Sequence, residues 1–136
     1  MTKKTVYLDM DGTIYPLYTQ NNWLARLRAE DKTVFSADEQ LITESELYKH
    51  FPKDKYRIKI FSMTPLKASE KYAQEVIEVK NEWLDKYFPT LTERIYKPYG
   101  NNKNLKNSAN AILVDDSAVI RKNFKGKAID PNKLWG

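Results

Sequence analysis

Cysteine is absent from the 136 residues of this sequence. Disulfide bonds and thiolate metal sites are therefore excluded, and the absence is compatible with the cytoplasmic location that we expect. Long apolar runs are absent too, since no stretch approaches the roughly 20 apolar residues that a membrane-spanning helix needs. The first residues lead directly into a predicted strand, without the apolar segment of a signal peptide. We therefore expect no membrane among the partners of this chain.

The composition is that of an ordinary globular domain, with 41% hydrophobic and 30% charged residues. A chain of this length predicts one domain with a sizeable buried core. The formal net charge is +5, which suits an anionic ligand such as a phosphate ester or a nucleic acid. The lysines are scattered rather than arranged in a stripe, so a solvated, lysine-rich surface is the alternative interpretation of this charge.

Two acidic residues follow directly after the first predicted strand. Residues 6–8 are Val-Tyr-Leu, which favour a strand because β-branched and aromatic side chains pack well on a pleated surface. Asp9 and Asp11 come next, and Gly12 indicates a tight turn of the backbone. Carboxylates at the end of a buried strand cost free energy unless a cation, a hydrogen-bond donor or a reaction uses them. This cost is the reason to expect a functional site here.

Strand patterns recur along the rest of the chain and alternate with helical ones. The further predicted strands lie at 56–61, 94–96, 111–114 and 128–129. This alternation predicts an α/β fold, with a mostly parallel sheet and helices on both faces. Residues 14–55 have no strand pattern, and we expect them to form a helical or irregular insertion.

Helix start and stop signals predict four helices. They are a short helix over 23–28 capped by Asn21 or Asn22, a helix from Ser36 to Tyr48 with Glu39 completing a capping box, a long helix that starts at Thr64-Pro65 and ends before Pro89, and a short helix from Ser117 to Phe124.

Three pairs of polar residues follow the ends of predicted strands. They are Asp9 and Asp11, Ser62 and Thr64, and Asp115 and Asp116. In a parallel sheet, ligands bind outside the carboxyl ends of the strands, where the strand order reverses. We therefore expect the three pairs to form one site.

At these positions the sequence resembles the haloacid dehalogenase superfamily of phosphatases. Asp9-Met10-Asp11-Gly12-Thr13 matches its DxDGT motif. Ser62 or Thr64, then Lys103, then Asp115-Asp116 are similar to its second, third and fourth motifs, in the same order. The chain looks most similar to the small 5′-nucleotidases of the deoxyribonucleotidase type. The resemblance implies that residues 1–136 form one Rossmann-like domain, with a small cap at about 14–55 that covers the site and selects the substrate.

This resemblance implies hydrolysis of a phosphate monoester through an aspartyl-phosphate. Asp9 would be the nucleophile, and Asp11 would protonate the leaving oxygen and later activate a water molecule. Because the substrate and the nucleophile are both negatively charged, the reaction needs a cation. Asp9, the backbone carbonyl of Asp11 and Asp115 can supply the hard oxygen ligands that Mg²⁺ prefers.

The phosphate group would be bound by Thr13, by Ser62 or Thr64, and by Lys103. Ser62 is favoured over Thr64 because a helix cap explains Thr64 without a ligand. Asp116 would hold Lys103 or a metal-bound water.

The choice of Lys103 has two alternatives, Lys97 and Lys106, either of which can be merely solvated. Lys103 is favoured because it lies nearest the turn at Gly100, which would direct its side chain inward.

A nucleoside monophosphate is the favoured substrate. A phosphorylated end of a polynucleotide, or a binding or regulatory module without turnover, are the alternatives. Tyr15, Tyr18 and Trp23 follow the first motif and are candidates for stacking on a base, although aromatic residues usually belong to the core. His50, the one histidine, is expected to pack or lie at the surface rather than to act in catalysis.

Overall fold

Five parallel strands form the central sheet of the structure, a computed structural model that describes residues 2–136. Their order in the sheet is β3-β2-β1-β4-β5. This arrangement confirms the predicted α/β class with a parallel sheet, and every predicted strand has its counterpart. The strands are β1 Lys4–Leu8, β2 Tyr56–Thr64, β3 Arg94–Pro98, β4 Ile112–Val114 and β5 Lys127–Ile129.

The helices connect these strands or belong to the segment between β1 and β2. They are α1 Trp23–Arg28, α2 Glu44–His50, α3 Glu70–Tyr87 and α4 Ala118–Asn123. Short 3₁₀ turns lie at Leu17–Thr19, Lys32–Phe35, Ser108–Asn110 and Pro131–Lys133. None of the helices within residues 2–136 has both the length and the apolar character needed to cross a membrane.

Helices cover both faces of the sheet. Alternate residues of a strand point to opposite faces, so each strand contributes side chains to both. Val6 and Leu8 pack in the same cluster as the buried residues of α3. Tyr7, between them, packs in a second cluster with Phe61 of β2 and Ile120 of α4. The α3 face and the α4 face are therefore two distinct sides of the core.

The strand order reverses beside β1. From β1 the chain proceeds to β2 and β3 on one side, and then returns to β4 and β5 on the other. A crevice is expected at the carboxyl ends of β1 and β4, since their outgoing connections leave in opposite directions. The register pairs Leu8 of β1 with Val114 of β4, so these two strands end at the same level.

The predicted start of the long helix is wrong. Thr64 does not cap a helix, because β2 continues through Thr64, which pairs with Pro98 of β3. Pairing with β3 thus extends the strand beyond the Thr-Pro signal. The helix begins six residues after Thr64, at Glu70, and the Ser69 side chain caps it by accepting a hydrogen bond from the Tyr72 amide. Its predicted end before Pro89 is confirmed.

The predicted helix from Ser36 to Tyr48 is also wrong in its start. Its capping box is formed by Thr43 and Glu46, and α2 begins at Glu44. The backbone of Ala37 is used in tertiary contacts instead, since its carbonyl accepts a hydrogen bond from the Trp83 indole and its amide donates one to the Tyr15 hydroxyl. The Leu41 amide, which would donate to the Ala37 carbonyl in a helix that starts at Ser36, donates to the Ile14 carbonyl instead. The other two helices are confirmed, although the Asn22 side chain makes no capping hydrogen bond.

The segment between β1 and β2 packs into the main core. Val34, Phe35 and Leu47 belong to the same buried cluster as Leu8 of β1 and Trp83 of α3. This segment contributes no strand to the sheet of the described chain, in agreement with the sequence pattern. It therefore packs against α3 and shares the core of the domain.

We predict that Tyr15→Phe destabilises the protein by about 1–3 kcal/mol, because it leaves two backbone groups without a partner. The Tyr15 hydroxyl donates to the Val34 carbonyl and accepts from the Ala37 amide. Urea unfolding measures the change. Tyr7→Phe is the matched control, since the Tyr7 hydroxyl makes no hydrogen bond within residues 2–136 and its loss should cost less. Equal effects of the two substitutions would contradict this account.

Candidate active site

Asp9 and Asp115 meet because each is the first residue after one of two adjacent strands. The Asp9 amide donates to the Val114 carbonyl at 3.0 Å, which continues the pairing of β1 with β4. The Asp115 amide donates in turn to the Ile129 carbonyl of β5 at 3.2 Å. Backbone pairing thus brings together two carboxylates that lie more than 100 residues apart in the sequence.

Asp116 completes a cluster of three carboxylates with Asp9 and Asp115. One oxygen from each residue lies within 4.8 Å of the others. Three hard anionic oxygens at this spacing fit a divalent cation such as Mg²⁺, which is bound by carboxylates and water. Asp116, expected only to hold Lys103 or a water molecule, is thereby placed among the groups that could coordinate the metal directly.

Asp11 was predicted to bind the metal through its backbone carbonyl, and its carboxylate has a different partner. Its carboxylate lies outside the cluster and forms an ion pair with Lys80. Within residues 2–136, no hydrogen bond is made to the Asp11 carbonyl oxygen, so this oxygen is available for a cation. The two acids of the DxD motif therefore have separate environments.

Lys103 lies between Asp9 and Asp115. Its Nζ atom is 2.8 Å from Asp9 Oδ1, 2.8 Å from Asp115 Oδ2 and 2.8 Å from the Phe61 carbonyl oxygen. Its side chain is 1% exposed, whereas Lys97 and Lys106 are exposed. Burial lowers the pKa of Lys103, but the two carboxylates outweigh it and the net pKa is raised. The lysine is therefore charged and neutralises the acids on both sides of it.

The loop after β3 holds Lys103 in this position. Asn104, the next residue, donates from its side chain to the Asn123 carbonyl at 2.8 Å and accepts from the Lys125 amide at 2.9 Å. The Asn123 side chain also donates to the Asn101 carbonyl at 3.0 Å. These bonds fasten the loop to the end of α4 on both sides of Lys103.

The turn after β1 requires glycine at position 12. Gly12 has φ = +78°, and a Cβ atom there would lie 2.3 Å from Asp116 Oδ2 and 2.6 Å from Tyr18 Cε2. The turn directs the buried Thr13 hydroxyl to Asp9 Oδ2 at 3.1 Å. Thr13, predicted to bind phosphate, therefore orients the Asp9 carboxylate through its hydroxyl.

Lys80 is a site residue that the sequence analysis missed. It lies on α3, its side chain is 1% exposed, and its Nζ atom is 2.9 Å from Asp11 Oδ2. One signal could have identified it: position 80 falls four residues from both Val76 and Leu84, which are buried on the apolar face of α3. A lysine on the apolar face of a helix needs a partner in the core.

The two hydroxyl candidates have different surroundings. The Ser62 side chain is fully buried and its Oγ atom accepts a hydrogen bond from Lys80 at 2.7 Å. Thr64 lines the cavity above the acids, in which Ser62 has no part. Ser62 was the favoured phosphate donor, but the geometry gives Thr64 the direct access and connects Ser62 to Asp11 through Lys80.

Burial and mutual repulsion alter the acids of the site. Burial, followed by the charge of Asp9, raises the pKa of Asp115 to about 6. Burial, followed by interactions with Asp9, raises the pKa of Asp116 to about 8. The pKa of Asp11 is raised above its ordinary value by burial, against the opposing effect of Lys80. Without a cation, the site thus has an excess of negative charge, which favours protonation of its carboxylates.

A cavity of about 640 Å³ lies above these acids. The rim of this cavity carries large apolar side chains that are unusually exposed, namely Tyr18, Leu24, Leu66 and Tyr99. Tyr18 and Trp23, two of the predicted stacking residues, lie on its wall with their rings 4.9 Å apart. Tyr15, the third, is wrong as a candidate because it is buried in the core. His50 is exposed and packs 5.5 Å from the Trp135 ring, away from the cavity lining.

No protein-family model matches the chain, and no curated protein matches it. The contacts of the site itself indicate its chemistry. They are three carboxylates within reach of one cation, a buried lysine bound to two of them, and a second buried lysine bound to the neighbouring acid.

We predict that Asp116→Asn stabilises the metal-free protein more at pH 9 than at pH 5. The pKa of Asp116 in the folded protein, about 8, lies above its ordinary value of 3.8. The folded state therefore holds a proton that the unfolded chain releases, so this group reduces stability progressively as the pH rises between these two values. Asparagine removes that loss.

Thermal unfolding in the presence of a chelator measures this effect at both pH values. Asp54→Asn, at an exposed carboxylate far from the cluster in the sequence, is the control and should retain the pH dependence of the unsubstituted protein. An Asp116→Asn protein whose stability changes with pH as steeply as that of the control would contradict the prediction.

Proposed function

We propose that this protein is a Mg²⁺-dependent phosphomonoester hydrolase that acts through an aspartyl-phosphate at Asp9. The observation that carries the proposal is the arrangement around Asp9. This carboxylate lies on the floor of a cavity, shares Lys103 with Asp115, and has oxygen atoms of Asp115 and Asp116 within 4.8 Å. Such a site can lower the repulsion between a carboxylate nucleophile and a phosphate dianion.

Asp9, Asp115 and Asp116, together with the Asp11 carbonyl, are the groups that would hold Mg²⁺. Bound there, the ion would screen the charges of Asp9 and the phosphate group. Lys103 adds a fixed positive charge beside Asp9, and the Thr64 hydroxyl in the cavity wall can donate to a phosphate oxygen. These groups would bind and orient the phosphate.

The reaction would proceed in two steps. A carboxylate oxygen of Asp9 attacks phosphorus while the ester P–O bond breaks, and the leaving oxygen takes a proton from Asp11. A water molecule then attacks phosphorus, gives its proton to Asp11, and releases inorganic phosphate and the free Asp9 carboxylate. Burial raises the pKa of Asp11, which is the direction that a general acid needs.

The cavity favours a nucleoside monophosphate as the substrate. A planar base can lie against the aromatic rim, since stacking on an aromatic ring is worth about 1–3 kcal/mol per base. Five carboxylates and three cationic side chains line the cavity, which is a poor environment for a polyanionic strand. A polynucleotide end is therefore the less favoured substrate despite the net charge of +5.

We predict Mg²⁺-dependent release of phosphate from nucleoside monophosphates and its loss on addition of a chelator. Asp9→Asn should reduce kcat by at least about 1,000-fold, because it removes the nucleophile. Asp54→Asn should leave kcat unchanged. A colorimetric phosphate assay measures both. No release from mononucleotides or from phosphorylated oligonucleotides, at any magnesium concentration, would favour a binding module and overturn the proposal.

The same assay distinguishes the two substrate classes. Oligonucleotides carrying a 3′- or 5′-phosphate would be preferred by an end phosphatase, and their kcat/KM would fall steeply with salt. For a mononucleotide, kcat/KM should depend only weakly on salt. A clear preference for oligonucleotides would contradict the proposed substrate while leaving the chemistry intact.

We predict that Tyr99→Ala raises KM for nucleoside monophosphates by roughly 5- to 100-fold, the equivalent of one lost stacking contact. The Tyr99 side chain is 55% exposed at the cavity rim. KM for glycerol phosphate, which has no base, should not change. Leu41→Ala removes an apolar side chain that is 44% exposed outside the cavity and is the control. Equal increases of KM for both esters would argue against base stacking.

A further inference from the structure

Lys80 has every donor of its ammonium group engaged. Its Nζ atom donates to Asp11 Oδ2 at 2.9 Å, to Ser62 Oγ at 2.7 Å and to the Met63 carbonyl at 3.0 Å. An ammonium group has three N–H bonds, so these three acceptors satisfy it completely. The lysine is therefore a fixed structural centre and has no proton left for a ligand.

The position of Lys80 is unfavourable for a charged group because it is buried. Lys80 lies on the buried face of α3, and its Nζ atom is 4.8 Å from the centroid of the Phe35 ring. Burying an ammonium group carries a desolvation penalty, which pairing with a carboxylate only partly offsets. An apolar residue at this position would continue the pattern of Val76 and Leu84 at no such cost. Packing alone does not account for a lysine here.

The carboxylate of Asp11 is held by one oxygen only. Oδ2 is bound to Lys80, whereas Oδ1 is buried and has no hydrogen-bond partner among the described residues. A buried carboxylate oxygen normally has a partner, so Oδ1 is a group whose partner is absent from the protein itself. Because Asp11 lines the cavity, that partner can come from a bound molecule.

We propose that Lys80 is a positioning residue that holds Oδ2 of Asp11 and so directs Oδ1 to the leaving oxygen of the substrate. Ser62, on strand β2, accepts a hydrogen bond from Lys80 and helps to hold the lysine in place. This inference rests on the proposed function, because it concerns the proton transfer by Asp11. Lys80 itself does not touch the substrate.

The two buried lysines thus have separate tasks. Lys103 binds Asp9 beside the Phe61 ring, on the α4 face of the sheet. Lys80 binds Asp11 from the α3 face. Loss of Lys103 should impair attack on every phosphate ester. Loss of Lys80 should impair only those esters whose leaving group needs a proton.

Leaving-group dependence of kcat/KM tests this difference. Lys80→Met keeps the length of the side chain and removes its charge. We expect it to lower kcat/KM for a nucleoside 5′-monophosphate by about 100-fold or more, within the range that general acid catalysis contributes. For 2,4-dinitrophenyl phosphate, whose phenolate leaves without a proton, the loss should be less than about fivefold. A structural role alone would lower both values equally.

Three further variants complete the experiment. Lys86→Met, at an exposed lysine of the same helix, is the matched control and should change neither value. In an Asp11→Asn background, Lys80→Met should add less than about threefold, because a residue that acts through Asp11 has no separate effect. Ser62→Ala should lower kcat/KM for the nucleotide selectively and by a smaller factor. It tests the same Ser62–Lys80–Asp11 contacts if Lys80→Met does not fold.

The outcomes separate the two proposals. An unsubstituted protein that hydrolyses neither ester overturns the proposed function, and the role of Lys80 with it. If the protein is active but Lys80→Met lowers kcat/KM for both esters by the same factor, only the role of Lys80 is overturned. Ser62→Ala gives the same test if Lys80→Met does not fold. The role of Lys80 would also be overturned if Lys80→Met lowered kcat/KM in the Asp11→Asn background as much as it does in the unsubstituted protein. Selective loss on the nucleotide, absent in that background, supports the inference.

Discussion

The structure depends on the neutralisation of two carboxylates that follow a buried strand. Asp9 and Asp11 come directly after β1, the middle strand of the sheet, where an unpaired charge is costly. Each has its own buried lysine, Lys103 for Asp9 and Lys80 for Asp11. The lysines approach from opposite faces of the sheet, and each also donates to a backbone carbonyl of β2. The strand ends, the loop after β3 and helix α3 are thereby connected through ion pairs at one point.

The sheet topology explains why this point is also the candidate site. The strand order reverses between β1 and β4, and their register places Asp115 beside Asp9. Burial, followed by interactions with Asp9, raises the pKa values of Asp115 and Asp116. Lys103 alone cannot neutralise the three neighbouring acids, so an excess of negative charge remains. A cation would relieve it. The same excess of negative charge that destabilises the metal-free site would favour the binding of a divalent cation.

Much of this arrangement could be predicted from the sequence, because it depends on local patterns. The apolar runs before Asp9 and Asp115 identify two buried strands, and a parallel sheet brings their ends together. The helix starts could not be predicted as well. Ser36 and Thr43 both have glutamate three residues later, and the sequence does not show that the Ala37 carbonyl is bonded to Trp83 and the Leu41 amide to Ile14. The position of Lys80 on the apolar face of α3 could be read from the sequence, but its partner Asp11, 69 residues away, could not.

Identification of the phosphorylated residue tests the central claim most directly. The protein would be quenched in acid during turnover of a nucleoside monophosphate in Mg²⁺, and its peptides analysed by mass spectrometry. The account predicts one phosphoryl group on the carboxylate of Asp9, which is bound to Lys103 beside the acidic cluster, and none on Asp11, the proposed proton donor. A phosphoryl group on Asp11, or a protein that turns over without any acyl-phosphate, would contradict it.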